Sequence, residues 1–80
     1  MKISHQLAGM LQDKIITLED YNRYSGLQVL RSNAGFYIGT MYSNPEGWNE
    51  PGSRDSEYFP TAEAAESALA NSTYEIRWHA

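Results

Sequence analysis

Two apolar runs, Leu27-Gln28-Val29-Leu30-Arg31 and Phe36-Tyr37-Ile38-Gly39-Thr40-Met41-Tyr42, flank the short segment Ser32-Asn33-Ala34-Gly35. No other feature restricts the chain as much. Two strand-like runs separated so briefly must pair antiparallel, as a hairpin. Gly35 takes a positive φ at little cost, as a three-residue hairpin loop with a bulge requires. Gly39, inside the second run, predicts a bulge or the close approach of another backbone or ring.

The remaining elements fall around this hairpin. Ile3, Leu7, Met10 and Leu11 share one helical face, which predicts a helix over residues 3–12 with Ser4 as its cap, weakened by Gly9. Thr17 followed by Glu19 and Asp20 reads as a second helix start, running through Tyr24 and stopping at Gly26. Residues 14–17 could instead form a short strand. Residues 43–56 contain Asn-Pro, Glu-Gly and Pro-Gly pairs and read as a loop. Glu57-Tyr58-Phe59 reads as a short strand closed by Pro60. Thr61 caps a helix over 62–70, with Ala62, Ala65 and Leu69 inward and Ala68 beside them. The alternation of residues 73–78 predicts a last, half-buried strand.

The chain therefore reads as one domain over residues 1–80. Residues 1–26 form an N-terminal helical segment and residues 27–80 a β-β-β-α-β unit. The expected class is α+β: a small, mainly antiparallel sheet of three or four strands with the Ala-rich helix on one face. The last two strands would be parallel neighbours through a right-handed crossover, or the last would take another place.

Leu, Ile, Val and Phe number only 14 of 80. So low a share accompanies disorder when net charge is high. Here the net charge is −4 and ten aromatics add apolar area, so a folded core leaning on aromatics and alanines is expected. A domain of this length buries only ~60% of the surface its unfolded chain exposes. Without cysteine, disulfides and thiolate metal sites are excluded, and self-association or a partner remains as added support. No apolar run is long enough to span a membrane, and Met1 to Gln6 lack the apolar stretch of a signal peptide. The expectation is a cytosolic protein.

Candidate chemistry is sparse. His5 and His79 lie near opposite ends without a patterned carboxylate, so two solvated histidines are the simplest reading, with no metal or cofactor. Ser53 and Ser56 have no evident base beside them. Arg54 is expected to pair with Asp55 or Glu57 and lock the loop exit. Glu63 and Glu66 fall on an exposed helix face. No phosphate-binding glycine loop precedes a helix. Residues 1–40 carry a net +1 and residues 41–80 a net −5, which argues against direct nucleic-acid binding. The acidic run also raises nucleic-acid mimicry, although −4 is modest for that role.

Aromatics single out a surface. Phe36, Ile38, Thr40 and Tyr42 alternate to one face of their strand, and Tyr37, Gly39 and Met41 to the other. One small helix cannot cover both. The N-terminal segment, a second copy or a partner must cover the second face, and the expectation is an ordinary two-sided core closed by the N-terminal helices. Trp48, in a loop punctuated by Pro and Gly, is a candidate anchor. The contact surface predicted from this pattern is Trp48, Glu46, Glu50, Arg54, Asp55 and Glu57, with Tyr37 and Tyr42 behind them.

The stretches Ser32-Asn33-Ala34-Gly35-Phe36-Tyr37-Ile38-Gly39-Thr40, Ser53-Arg54-Asp55-Ser56-Glu57-Tyr58-Phe59 and Thr61-Ala62-Glu63-Ala64-Ala65-Glu66 resemble a group of short phage and prophage proteins. The resemblance spans roughly residues 27–78 and brings no catalytic residues with it. It implies a setting in the host bacterial cytosol. Small acidic phage proteins often inhibit host defence, as anti-CRISPR proteins do, by binding a protein or ribonucleoprotein effector. The resemblance thus implies a non-enzymatic inhibitor of such a complex. A homo-oligomeric structural or accessory phage protein, a homodimer being one form of it, and a small-ligand binder or minor enzyme using His5 or His79 are the alternatives.

Overall fold

The computed structural model describes residues 2–76. Its elements are α1 (His5–Gln12), α2 (Leu18–Tyr21), β1 (Gln28–Ser32), β2 (Gly35–Ser43), β3 (Asn49–Arg54) and α3 (Ala62–Asn71). The strands form one antiparallel sheet in the order β1-β2-β3. The α+β class read from the sequence holds, with the alanine helix packed on β1 and β2.

Local chemistry places each boundary. Ser4, Thr17 and Thr61 cap the three helices by accepting from the N–H groups of Leu7, Asp20 and Ala64, each at 3.1 Å. Beyond α1, Lys14 turns into the left-handed region at φ 61° while its N–H and that of Ile15 donate back to Leu11 and Met10. Residues 14–17 are therefore a helix exit and not a strand. α2 ends before Gly26, because residues 23–25 leave it to run beside β2. The Ser25 N–H donates to the Met41 carbonyl at 2.8 Å, and that of Ser43 to the Arg23 carbonyl at 2.9 Å. In the β1–β2 turn, Asn33 and Ala34 keep negative φ and Gly35 takes φ 132°, the positive φ expected of it; the loop, however, holds two residues and not three, because Ser32 pairs directly with Gly35 and the β1–β2 register runs without a bulge.

Three expectations need correction. The third strand lies at Asn49–Arg54, inside the stretch read as a loop. Pro51 and Gly52 are turn-type residues by sequence, yet both suit this place. β3 is an edge, where a missing N–H does little harm, and Gly52 is the extra residue of a bulge opposite Thr40 and Met41. A Cβ at Gly52 would meet the Tyr24 ring at 2.8 Å. Second, residues 57–59 contribute a single bridge, Phe36 to Phe59, and no strand. Third, residues 73–76 are not in a strand, so the parallel crossover has no support there; Arg77 and Trp78 lie outside the described residues.

The core centres on β2. Ile38 is fully buried, with Ala65 and Ala68 of α3 and Leu7 of α1 also buried. Ala62, expected inward, is exposed. Ser4 reaches Asp55, and the Lys2 ammonium donates to the Leu69 carbonyl at the end of α3. The N-terminal segment and α3 thus share the face that carries Ile38 and Thr40. The opposite face, expected to be covered by the N-terminal helices, is not roofed by them. Tyr37 is covered there by Tyr58, edge-on with ring centroids 5.8 Å apart. The Arg54 guanidinium lies 4.6 Å over that Tyr58 ring.

Candidate interaction surface

The turn between β2 and β3 is built by one side chain. Asn44 Oδ1 accepts from the N–H groups of Glu46 and Trp48, each at 3.0 Å. The Asn44 N–H donates to the Trp48 carbonyl at 2.9 Å, and the Gly47 N–H to the Asn44 carbonyl at 3.0 Å. Gly47 takes φ 91°, which closes the loop. Four hydrogen bonds thus fix five residues, and the fixed tip points Trp48 into solvent at 72% exposure. Glu46 and Glu50 are exposed on either side of it. No Lys or Arg occurs from residue 41 to 53, so the tip itself is acidic, and a cation, the Arg23 guanidinium, lies at the hairpin root, where it donates to the Ser43 carbonyl at 3.5 Å.

At the root of this hairpin Tyr42 stacks against Tyr24, centroids 4.8 Å apart and planes at 54°. Burial raises the Tyr24 hydroxyl above its ordinary pKa, helped by Tyr42 and by the nearby Asp20 and Glu50 carboxylates. Tyr42 therefore stiffens the base of the tip.

The rest of the predicted contact set is elsewhere. β3 spans about 16 Å from Asn49 to Arg54 at the usual rise per residue, so Arg54, Asp55 and Glu57 do not share a patch with Trp48. Arg54 makes neither expected ion pair. It donates to the Ser56 carbonyl at 3.1 Å and stacks on Tyr58. Tyr37 is buried beneath that stack, and burial raises its hydroxyl pKa more than the nearby Arg54 lowers it. Glu57 is half-buried and accepts from the Glu75 N–H at 3.3 Å.

Asp55 departs furthest from expectation. It is 2% exposed, and no cation pairs with it among the described residues. Its carboxylate accepts from the Ser4 hydroxyl on one oxygen and from the Ser53 hydroxyl, at 2.6 Å, on the other. A hydroxyl has one proton to give. Ser53 spends its proton on Asp55, so Thr40 must be the donor in the 2.8 Å contact between Thr40 and Ser53. Thr40 Oγ1 in turn accepts from the Ser53 N–H at 3.1 Å. Next to them, Ser56 Oγ accepts from the Ile38 N–H at 2.8 Å and donates to the Glu57 carbonyl at 2.8 Å. Every proton in this cluster is committed and the cluster is closed to solvent. It is a structural latch tying residue 4 to residue 55, with Ser53 and Ser56 both buried.

Other chemistry is thin among the described residues. No group of three His, Asp or Glu side chains is placed to hold a metal ion. No helix is long and apolar enough to cross a membrane. His79 lies outside the described residues, and His5 is exposed at the start of α1. Comparison with protein-family models, with curated proteins and with solved structures returns no match.

Proposed function

We propose that the chain works by binding, without a catalytic step, and that its contact surface is the β2–β3 tip. The observation that carries this reading is Trp48, 72% exposed on a turn fixed by Asn44. A large aromatic carried on a fixed backbone loses less entropy on binding, and Trp is among the residues enriched at interface hot spots. Glu46 and Glu50 beside it favour a partner whose pocket has a basic rim. The resemblance to short phage proteins supplies the setting: an inhibitor or modulator of a bacterial defence complex in the host cytosol, of the anti-CRISPR kind. Such complexes bind nucleic acid through basic grooves, which matches the charge of the tip.

The test is binding to purified CRISPR effector complexes by biolayer interferometry. Trp48→Ala with Glu50→Lys is expected to weaken binding by more than ~30-fold, the equivalent of a hot-spot loss of about 2 kcal/mol. Thermal stability should hardly change, because neither side chain is packed. Asn44→Ala should weaken binding too, through a looser tip. Wild-type protein that is folded and binds none of these complexes refutes the defence setting. A complex that binds the double variant as well as wild type refutes the tip.

A further inference from the structure

The sheet has two edges, and they are built differently. β3 carries Pro51, a bulge at Gly52 and the exposed Glu50, all devices that discourage another strand from pairing. β1 has no proline, lysine or bulge. Its one charge is Arg31, whose guanidinium lies 5.7 Å over the Phe36 ring.

Backbone parity identifies what β1 presents. Phe36 exchanges both backbone hydrogen bonds with Phe59, at 2.9 and 2.6 Å. The Ile38 carbonyl accepts from the Asp55 N–H at 2.8 Å, and the Ile38 N–H donates to Ser56 Oγ at 2.8 Å. Even-numbered residues of this part of β2 thus turn their backbone groups away from β1. In an antiparallel ladder the residues opposite them, Val29 and Arg31, also turn theirs outward. Among the described residues nothing pairs with those two N–H and two C=O groups. The neighbouring position is closed, since the Leu27 N–H donates to the Lys2 carbonyl at 2.8 Å.

We infer that this edge is a self-association surface: two copies of the chain pair β1 to β1, antiparallel, about a twofold axis at Leu30. Val29 and Arg31 of each copy then exchange four hydrogen bonds with Arg31 and Val29 of the other, leaving no outward group unused. Leu30 meets Leu30 as the close, non-hydrogen-bonded pair. The Arg31 stem lies against Val29, and Gln28 meets Ser32. Every cross-strand pair is chemically matched. An axis at Arg31 would oppose two guanidinium groups, and an axis at Val29 would need Leu27, which Lys2 already occupies. A second copy also supplies what this chain lacks, since Leu7, Tyr37, Ile38, Ala65 and Ala68 are its only buried apolar side chains among the described residues. The hairpin tip lies across the sheet from this edge and stays exposed in the pair, so the two surfaces stand or fall separately.

The chain has no cysteine, so a single introduced thiol reports one contact. Residues facing each other in a non-hydrogen-bonded pair have Cα atoms about 4.5 Å apart, within disulfide reach. Full-length Leu30→Cys under mild oxidation is expected to form a disulfide dimer nearly completely. Gln28→Cys, whose two copies lie about 13 Å apart in this register, should form no disulfide. Mixed with Ser32→Cys, it should form the heterodimer. Light scattering on wild type should show a mass rising with concentration towards twice 9.1 kDa. Arg31→Pro removes an outward N–H that β2 does not use, so it should keep the far-UV spectrum and abolish the rise. Equal cross-linking of Leu30→Cys and Gln28→Cys, a wild-type monomer at high micromolar concentration, or a dimer that survives in folded Arg31→Pro overturns the inference. If Arg31→Pro does not fold, the cysteine pair decides.

Discussion

Replacing Asp55 with alanine should cost this domain much of its stability. The carboxylate accepts two buried hydroxyls, Ser4 and Ser53, and is itself 2% exposed. A hydrogen bond to a charged group contributes ~1.5–3 kcal/mol, so the two together reach roughly 3–6 kcal/mol. Removing the charge also removes its desolvation penalty, which offsets part of this. We expect a net loss of about 2–4 kcal/mol, against roughly 4–12 kcal/mol for a chain of this length. Asp55→Asn keeps the volume and one acceptor oxygen, and should lose about half as much. The measurement is urea unfolding followed by far-UV circular dichroism, at constant m-value. Ser4→Ala alone mixes two effects, because Ser4 also caps α1 at a cost of about 1 kcal/mol. A double-mutant cycle with Asp55→Asn cancels the cap and should leave a coupling of about 1.5–3 kcal/mol. A loss below ~1 kcal/mol for Asp55→Ala, or a coupling near zero, refutes the latch.

Gly39→Ala would place a Cβ 2.0 Å from the Ser53 carbonyl oxygen and 3.0 Å from the Tyr37 ring, so β2 and β3 must part; a loss of roughly 2–4 kcal/mol is expected in the same assay. Gly9→Ala is its counterpart, with nothing within 4 Å of the new methyl, and should gain about 1 kcal/mol through helix propensity. Lys14→Gly relieves a left-handed residue at φ 61° and should raise the melting temperature by ~4–8 °C. Burial holds the hydroxyls of Tyr24, Tyr37 and Tyr74 above the ordinary value of 10.0, with Tyr42, Tyr58 and Asp55 respectively adding to it. Their folded pKa values exceed the unfolded ones, so their contribution is complete below pH 10.0 and is lost as pH rises through the folded values. Urea midpoints should therefore show no tyrosine-linked loss from neutral pH to about 10 and fall above it, and Tyr37→Phe should remove one late-titrating phenol from the 295 nm absorbance.

The legible parts of the sequence were the local ones. Ser4, Thr17 and Thr61 cap helices because the need is met within three residues, and the β1–β2 turn follows from Gly35 alone. Gly39 announced a close approach without saying to what. Illegible features joined distant positions. Nothing near Asp55 in the chain says that its partner is Ser4, 51 residues away, so an acidic residue in a polar stretch was read as surface. Arg54 has Asp55 and Glu57 beside it in the chain, which points to an ion pair, whereas the ring it stacks on, Tyr58, carries no charge to mark it. In the fold, Asp55 is turned inward by the latch, and Arg54 is left over Tyr58, whose ring it roofs together with Tyr37. The contact surface shrank for the same reason. Of the residues proposed together, Trp48, Glu46 and Glu50 share a tip, and Tyr42 supports its base, while the others serve the far end of β3.

The misread strand explains how an exposed tip can be tolerated. A hairpin that presents Trp48 to solvent also presents its outer strand, and a regular edge beside an exposed tryptophan invites aggregation. Here the outer strand is Asn49-Glu50-Pro51-Gly52-Ser53-Arg54. Pro51 withholds an N–H, Gly52 breaks the ladder with a bulge, and Glu50 adds charge. The glycine has a second use: without a Cβ it lets the Tyr24 ring pack against the strand, and Tyr24 in turn stacks on Tyr42 at the hairpin base. The residues that made this stretch resemble a loop therefore perform two tasks that a regular strand could not combine. They stiffen the support of the tip from behind and disable the edge beside it. β1 has no such protection, so the strand pairing proposed with a second copy would use the opposite edge, away from Trp48.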